Sequence, residues 1–359
     1  MWDAFDGWSL TFSPAGRGTL DDLLAPGGRR SPRTRDGRLR LEWGAQVVGG
    51  GRPHIAYRGA DRASYAPGAA FVDGGFVPVE EARVPILDWG FLRSDATYDV
   101  VHLWRGSFFR LEDHLDRFER SMAKLHLRPP HGRDEFREIL LECARLSGLR
   151  DAYAEVICTR GIPPAGSRDP RECENNFFAF VVPFVWIAGP EKQERGLHAT
   201  ISDVQRIGPG SVDPTAKNYH WLDLTMGLYE AYERGGETAI LVDREGNVVE
   251  GPGFNIFVVA DGGIFTPDSG VLEGITRRTV MELAADLGIP LERRAIPADE
   301  MRRAEEAFVT STAGGVMPVT KVDGEALGDG APGPITARLR GAYWGLHEDP
   351  RYATPVRYD

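Results

Sequence analysis

The chain reads Asp-Pro-Thr-Ala-Lys-Asn-Tyr-His-Trp at positions 213–221, and this segment is its most informative part. The lysine, Lys217, follows an Asp-Pro turn signal and stands just before an amphipathic helical pattern. An enzyme that works through a Schiff base needs a lysine held in such a position. Because most lysines are solvated surface charges, the interpretation depends on what accompanies Lys217 elsewhere in the chain.

Three further segments carry the acid, the glycines and the hydroxyl groups that are typical of a ligand-binding site. They read Glu-Gly-Pro-Gly-Phe-Asn at 250–255, Gly-Ile-Thr-Arg at 274–277 and Ser-Thr-Ala-Gly-Gly at 311–315. The second segment precedes a helical pattern, whose free N–H groups and positive dipole end favour an anion. The third supplies two hydroxyl groups. Arg117 adds a guanidinium, which suits a phosphate better than an ammonium does.

The composition limits the possible classes of protein. The chain has 359 residues and a formal net charge of −11, so it is long enough for two modest domains or one large domain. Nothing in it suggests a nucleic-acid partner, which would need a clustered basic face. No apolar run reaches the ~18–20 residues that span a bilayer, and the amino terminus does not predict a signal peptide.

Cysteine usage gives a further expectation about the cellular compartment. Cys143, Cys158 and Cys173 form neither a metal-ligand pair nor an even set of disulfide partners. We therefore expect reduced thiols in the cytoplasm and no metal site.

The patterns along the chain predict a mixed α+β architecture. Hairpin signals are frequent, and strands and helices mix without regular βαβ repetition, which disfavours a doubly wound parallel sheet. Residues 1–55 are rich in Gly, Arg and Pro, so a flexible extension is expected there. We expect a small domain at 56–188, a linker at 189–196, a larger domain at 197–345 and a tail at 346–359.

Periodicity places individual elements within this plan. A hairpin is expected at 71–77 with its turn at Asp73-Gly74. Apolar residues at 4-3-4-3 spacing predict a helix over 111–125, and a second helix is expected over 136–146. The same reading predicts strands at 98–109, 153–159, 177–187 and 255–260, a hairpin across 239–249, and a helix over 280–287 that Gly288 and Pro290 end.

Taken together, Lys217, Glu250, Arg117 and the two anion-binding segments resemble the pyridoxal 5'-phosphate site of fold-type IV transaminases. This superfamily contains the branched-chain and D-amino-acid aminotransferases. The likeness runs from about Tyr65 to Asp359 and is greatest to the (R)-selective amine transaminases. The features shared with that subgroup are Asn-Tyr directly after the lysine, Trp221, and the Asp-Gly-Ala-Pro-Gly-Pro-Ile-Thr run at 329–336.

The resemblance implies a two-domain fold, with a small α/β N-terminal domain and a larger, β-barrel-like α/β C-terminal domain. It also implies a homodimer whose active site lies at the subunit and domain interface. In such a site Lys217 would form the Schiff base and transfer the proton. Glu250 would pair with the pyridine nitrogen, so that the protonated ring acts as an electron sink. The residues that would bind the cofactor phosphate are Arg117, Ile275, Thr276, Ser311 and Thr312.

A second group of residues resembles the substrate pocket of the family. Alternation along a strand would turn residues two apart to the same face. The group consists of Tyr98 and Val100, Tyr153 and Glu155, and Trp221. Plain core packing is the alternative for aromatic residues at this spacing.

Two positions depart from the closest family pattern. Arg93 stands where histidine is common, and it would anchor a carboxylate if it reaches the site. Asp99 stands where a small hydroxyl residue is common, and we expect it to point away from Tyr98.

The carboxylate clamps of the amino-acid transaminases are missing from the sequence. Neither an Arg-x-His pair, typical of D-amino-acid transaminases, nor the Arg-Pro motif of branched-chain enzymes follows Thr159-Arg160-Gly161. The loop 161–172 carries Arg168, which we interpret as the residue that swings in for the carboxylate of pyruvate.

The sequence therefore predicts a pyridoxal-phosphate-dependent aminotransferase with ping-pong chemistry on Lys217. It would move an amino group between an (R)-amine or D-amino acid and a keto acid such as pyruvate. The alternatives are a D-amino-acid transaminase proper, a branched-chain-type aminotransferase and a lyase similar to aminodeoxychorismate lyase. A non-catalytic binding protein is disfavoured because Lys217, Glu250 and Arg117 are all present.

Overall fold

Two β-sheets organise the part of the chain that the structure, a computed structural model, describes. This part is residues 65–359, so the extension expected at 1–55 lies outside it. Helices and strands mix without βαβ repetition, and the predicted α+β class is confirmed. The described residues belong to one compact unit, and the division into two domains stays a prediction.

The first sheet is antiparallel throughout and is built mainly from the first half of the described chain. Its strands are β1 (Ala69–Val72), β2 (Gly75–Pro78), β3 (Ala96–Trp104), β4 (Ser107–Phe109), β5 (Ala152–Ile162), β6 (Glu174–Pro183) and the late strand β16 (Ala353–Pro355). They lie in the order β16-β4-β3-β5-β6-β1-β2. The predicted turn between β1 and β2 is confirmed, since Asp73 and Gly74 both have positive φ.

Three helices belong to this half: α1 (Trp89–Arg93), α2 (Leu111–Lys124) and α3 (Arg133–Ser147). The two longer helices were predicted, and both are confirmed. Helix α3 begins three residues before its first predicted apolar residue, because its first turn is polar and is capped by Glu135, which accepts from the N–H of Gly132 at 2.9 Å. Phe118 of α2 is fully buried and packs edge-on against Phe136 of α3.

The second sheet has nine strands and mixes parallel with antiparallel pairs. They are β7 (Leu197–Gln205), β8 (Thr238–Val242), β9 (Glu250–Gly251), β10 (Phe254–Ala260), β11 (Gly263–Thr266), β12 (Leu291–Arg293), β13 (Glu306–Ser311), β14 (Gly315–Val322) and β15 (Glu325–Ala326). The main order is β12-β11-β10-β13-β14-β7-β8, with β9 paired to β10 and β15 to β14. The strand expected at 255–260 corresponds to β10.

Five helices belong to the second half: α4 (Pro190–Arg195), α5 (Leu222–Glu233), α6 (Ile275–Asp286), α7 (Ala298–Arg302) and α8 (Pro334–Gly345). The segment expected to be a linker holds α4, which has proline in its first turn and buries Gln193. No described helix is both long and apolar enough to cross a membrane.

The segment expected to be a tail at 346–359 contains regular structure. It forms a 3-10 turn at Leu346–Glu348 and then β16, which pairs with β4 at the edge of the first sheet. The hydroxyl of Tyr358 donates to the carbonyl of Leu149 at 2.6 Å. A strand of three residues leaves no periodic pattern in the sequence, so its long-range pairing could not be predicted.

The lysine segment is joined to the first sheet by its backbone. The carbonyl oxygen of Lys217 accepts from Thr97 Oγ1 at 2.5 Å and from the N–H of Tyr98 at 3.3 Å. Its N–H donates to Ser121 Oγ of α2 at 3.2 Å. The side chain of Lys217 therefore leaves a backbone that two elements of the first half hold in place.

Candidate active site

One cavity of about 380 Å³ brings together most of the residues expected to bind cofactor and substrate. Strands β3 and β5 supply one wall, and the lysine segment, the Glu250–Asn255 turn, the start of α6 and the β13–β14 turn supply the others. The expected residues that line it are Tyr98, Val100, Arg117, Tyr153, Lys217, Trp221, Glu250, Ile275, Thr276, Ser311 and Thr312.

The amine of Lys217 stands in this cavity above an aromatic ring. Its Nζ lies 4.1 Å from the ring centroid of Tyr98, close enough for the ring to stabilise the protonated amine. Burial lowers the pKa of Lys217 to about 8, and the positive charge of Arg117 acts in the same direction. The free amine needed for Schiff-base and proton-transfer chemistry is therefore accessible near neutral pH.

Glu250 has a buried carboxylate that is ion-paired with Arg206. It accepts from the N–H of Leu272 and from Arg206 Nε, both at 3.0 Å. Burial raises the pKa of Glu250, and the adjacent guanidinium of Arg206 opposes that rise. Arg206 also donates to Asp223 at 2.7 Å. Sequence reasoning missed Arg206, since the only signal for it was that a buried acid requires a partner.

Arg117 is buried and held in a fixed orientation. Its Nε and Nη2 donate to the two oxygens of Asp99, each at 2.8 Å, and its Nη1 donates to the carbonyl of Glu273 at 3.2 Å. Although burial alone would raise it, the charge of Arg117 holds the pKa of Asp99 well below its usual range. Asp99 faces away from the cavity as alternation predicts, but its role in orienting Arg117 could not be predicted from a single sequence.

The start of α6 and the β13–β14 turn form a cradle of donors. Gly274 precedes α6, and a Cβ there would lie 2.1 Å from Asn255 Oδ1, so only glycine allows this close approach. The first-turn N–H groups at Ile275 and Thr276 have no intrahelical acceptor. Thr310 Oγ1 is buried in the cavity wall without a hydrogen-bond partner among the described residues. Thr310 was missed by the sequence analysis.

These groups fit pyridoxal phosphate. Lys217 would supply the amine for the aldehyde, Glu250 the acid for the ring nitrogen, and the cradle with Arg117 the donors for the phosphate. The orphaned hydroxyl of Thr310 is a donor that still needs an acceptor. Residues 65–359 contain no cluster of three or more His, Cys, Asp or Glu side chains that could hold a metal ion.

Aromatic side chains form the wall beside the lysine. The rings of Tyr98 and Tyr219 stack with centroids 4.2 Å apart, and Trp221 Nε1 donates to the hydroxyl of Tyr98 at 3.0 Å. Glu155 lies behind this wall rather than in the cavity. It accepts from the hydroxyls of Tyr153, at 3.0 Å, and of Tyr219. Burial raises the pKa of Glu155, and these hydrogen bonds oppose the rise.

Besides Glu155, two more of the expected residues lie outside the cavity. Arg93 is exposed, with its guanidinium stacked 3.3 Å from the ring centroid of Trp89. Arg168 is exposed in the loop between β5 and β6. In the same loop Arg171 is paired with Asp169 at 2.5 Å, whereas Arg168 has no ion-pair partner within the described residues.

Known proteins that are similar in sequence to this chain are aminotransferases. A sequence model of the family described as amino-transferase class IV matches residues 96–322. The chain is 32% identical over 285 residues to a putative branched-chain-amino-acid aminotransferase of Methanocaldococcus jannaschii, which covers 77% of this chain and 97% of that protein. It is 31% identical over 273 residues to a D-alanine aminotransferase of Bacillus licheniformis, with 75% and 94% coverage.

A solved structure gives the same result at the level of the fold. The branched-chain aminotransferase of Thermoproteus uzoniensis, crystallised with norvaline, superposes with a TM-score of 0.74 at 32% identity. The match covers 80% of this chain and 99% of that one.

The lowered pKa of Lys217 predicts selective chemical labelling of the cofactor-free protein. An amine-reactive reagent attacks only the unprotonated form, so the labelling rate of Lys217 is expected to rise with a midpoint at about pH 8. Ordinary lysine amines titrate near 10.4. Peptide mapping by mass spectrometry after timed labelling at pH 6–11 measures this, with the half-exposed Lys192 as the internal reference. A midpoint for Lys217 near 10.4 would contradict the prediction.

Proposed function

This chain belongs to the class IV amino-transferase family, and we propose that it moves an amino group from an (R)-amine or a D-amino acid to a keto acid such as pyruvate. It is a pyridoxal-phosphate-dependent aminotransferase; the choice of donor and acceptor is the proposed part. The supporting observation is that, among the residues described, the cavity wall beside Lys217 offers no cation without an ion-pair partner or a role in the reaction. A homodimer and a cytoplasmic location stay predictions from the resemblance and the composition.

Three cationic side chains line the cavity within the described residues, and each already has a task. Arg117 is paired with Asp99, and Arg206 with Glu250 and Asp223. Lys217 is the reacting amine. A donor that carries a carboxylate therefore finds no free guanidinium or ammonium, whereas an apolar amine needs neither.

The hydroxyl of Tyr153 supports the same preference. Its proton is donated to Glu155, so the oxygen that lines the cavity presents only lone pairs. A carboxylate placed there meets a second acceptor, and the charge of Glu155 lies behind it. An ammonium or an apolar group meets no such repulsion.

The reaction divides between the cofactor and the protein. Bound pyridoxal phosphate supplies the electron sink for the bond broken at the amine-bearing carbon. Lys217 Nζ would take the proton from that carbon and deliver it to the C4′ carbon of the cofactor, and the face of Tyr98 stabilises the amine while it is protonated. Glu250, paired with Arg206, keeps a negative charge where the ring nitrogen would lie.

An amino-acid donor remains the second candidate because of Tyr98. Its hydroxyl accepts from Trp221, so its own proton is left to donate into the cavity. One hydroxyl donor is weaker than a bidentate arginine, but it could orient a carboxylate. Relatives with amino-acid substrates in their names agree with this alternative.

Half-reactions with single donors distinguish these candidates. The holoenzyme is mixed separately with (R)-1-phenylethylamine, its S enantiomer, D-alanine and L-alanine, and the absorbance of the bound cofactor is followed. We expect the R-amine and D-alanine to change the spectrum within one turnover. Reaction with D-alanine alone would assign a D-amino-acid transaminase, and reaction with L-alanine in place of D-alanine a branched-chain-type enzyme. Turnover without an acceptor would indicate a lyase.

The position of Glu155 predicts a change of donor preference. In Glu155→Gln the negative charge is lost. The amide N–H₂ of the new glutamine donates to the hydroxyl of Tyr153 or Tyr219, so that hydroxyl no longer donates its proton to residue 155. We expect the ratio of kcat/KM for D-alanine to that for (R)-1-phenylethylamine to rise about tenfold, since a hydrogen bond to a charged group is worth about 1.5–3 kcal/mol.

Tyr153→Phe is the matched control for this substitution, because it removes the phenol and keeps the Glu155 charge. Its ratio is expected to rise, but by less than in Glu155→Gln, because the lone pairs of the phenol are removed while the charge of Glu155 remains. Equal losses for both donors in Glu155→Gln would show that Glu155 only supports the wall.

We further propose that Arg168 binds the carboxylate of the keto acid, because it is the uncommitted arginine of its loop. Arg168→Ala is expected to slow the pyruvate half-reaction at least tenfold and to leave the amine half-reaction unchanged. Stopped-flow absorbance measures each half separately. Arg171→Ala, which removes a residue paired with Asp169, is the control. Equal losses in both halves would point to a structural loop.

A further inference from the structure

The lining of the catalytic cavity extends past Trp221 along α5, and we call this part of the cavity the arm. Trp221, Leu224, Leu228 and Tyr232 lie at helical spacing on one face, and all four line the same cavity as Lys217. The opposite side of this arm is formed by residues from the segment between the two sheets and from the β9–β10 turn, namely Val185, Ile187, Pro252 and Gly253.

The lining of the arm is apolar, and its single acid is neutralised. Glu237 is ion-paired with Arg195 at 2.5 Å and with Lys192 at 3.3 Å. The hydrogen bonds from Arg195 lower the pKa of Glu237 to about 2, so the pair persists across the working pH range. A charged ligand group gains nothing in this arm, whereas hydrocarbon is transferred out of water.

The outer part of the arm leaves apolar surface exposed. Tyr232 is 56% exposed and Val185 is 53% exposed, although both side chains line the cavity. Exposed apolar groups that border a cavity mark a binding groove more often than isolated exposed ones do.

Gly253 lies between Ile187 and Trp221 in the lining of this cavity. Gly253 has φ +83°, and a Cβ there would lie 3.4 Å from Ile187 and 3.5 Å from Trp221. The indole of Trp221 is itself fixed through its hydrogen bond to Tyr98. A side chain at position 253 would therefore crowd Ile187 and Trp221, and the indole is held in position.

We propose that this arm binds the apolar tail of the amine donor, an alkyl or arylalkyl chain longer than the side chain of alanine. This inference rests on the proposed function, because the donor is held at Lys217 by the reaction itself and its substituent must then occupy adjoining space. The arm belongs to the same cavity as Lys217, so one molecule can occupy both. The substrate class is thus an amine with a long neutral hydrocarbon substituent.

The test is the dependence of turnover on tail length. Linear 2-aminoalkanes from 2-aminobutane to 2-aminononane are given to the holoenzyme with pyruvate, and kcat/KM is measured for each. Each methylene that enters the arm is expected to raise kcat/KM up to about fourfold, until the arm is filled. A flat or falling series in the wild-type enzyme would overturn the proposal.

Leu228→Trp fills the arm and is the decisive variant. The ratio of kcat/KM for 2-aminooctane to that for 2-aminobutane is expected to fall at least tenfold. Met226→Trp places the same side chain on the exposed side of the same helix, where Met226 is 49% exposed, and should keep the wild-type ratio. Equal ratios in the two variants would show that the donor does not use the arm.

Two measures keep this test separate from the test of the proposed function. If no aminoalkane reacts but amino acids do, the proposed donor class is wrong, and the same length series is run with linear 2-amino acids of the reactive configuration. If Leu228→Trp does not fold, as judged by its thermal melt, Leu228→Ala replaces it. That variant enlarges the arm and is expected to move the optimum to longer tails; an unmoved optimum would overturn the proposal.

Discussion

The attachment of the Lys217 backbone to strand β3 is the constraint on which the site depends. Thr97 and Tyr98 both donate to the carbonyl of Lys217, so the lysine cannot shift relative to this strand. The next residue, Asp99, points to the opposite face and holds Arg117. Three successive residues of one strand thus fix the position of Lys217, the ring of Tyr98 beside its amine, and Arg117, which we propose binds the phosphate, because side chains alternate along a strand.

The charged groups around the cavity follow a common rule. Asp99 binds Arg117 from outside the cavity, and Arg206, which itself lines the cavity, binds Glu250. A buried charge without a partner would be costly, whereas a paired one can keep its ionised state in a site that excludes water. Asp99 also fixes the orientation of Arg117, and Arg206 fixes that of Glu250. The other side of Arg117 and of Glu250 stays available to a ligand.

Local patterns in the sequence predicted the parts that depend on near neighbours. The hairpin at Asp73-Gly74 and the two helices of the first half depend on turn chemistry and on helical periodicity, which a single sequence displays. The motif segments were recognisable, and the structure places them around one cavity. Arg206, the role of Asp99 and strand β16 were not foreseen, since each depends on contacts between residues far apart in sequence.

Strand β16 has a consequence for the order in which the protein is completed on the ribosome. Its partner β4 ends at Phe109, yet Ala353–Pro355 emerge more than two hundred residues later. The edge of the first sheet therefore stays unpaired during most of translation, and an unpaired edge can recruit a strand from another chain. Pairing between segments so far apart in sequence is slow. The nascent chain is therefore open to mispairing at this edge until Ala353–Pro355 have been synthesised and have paired with β4.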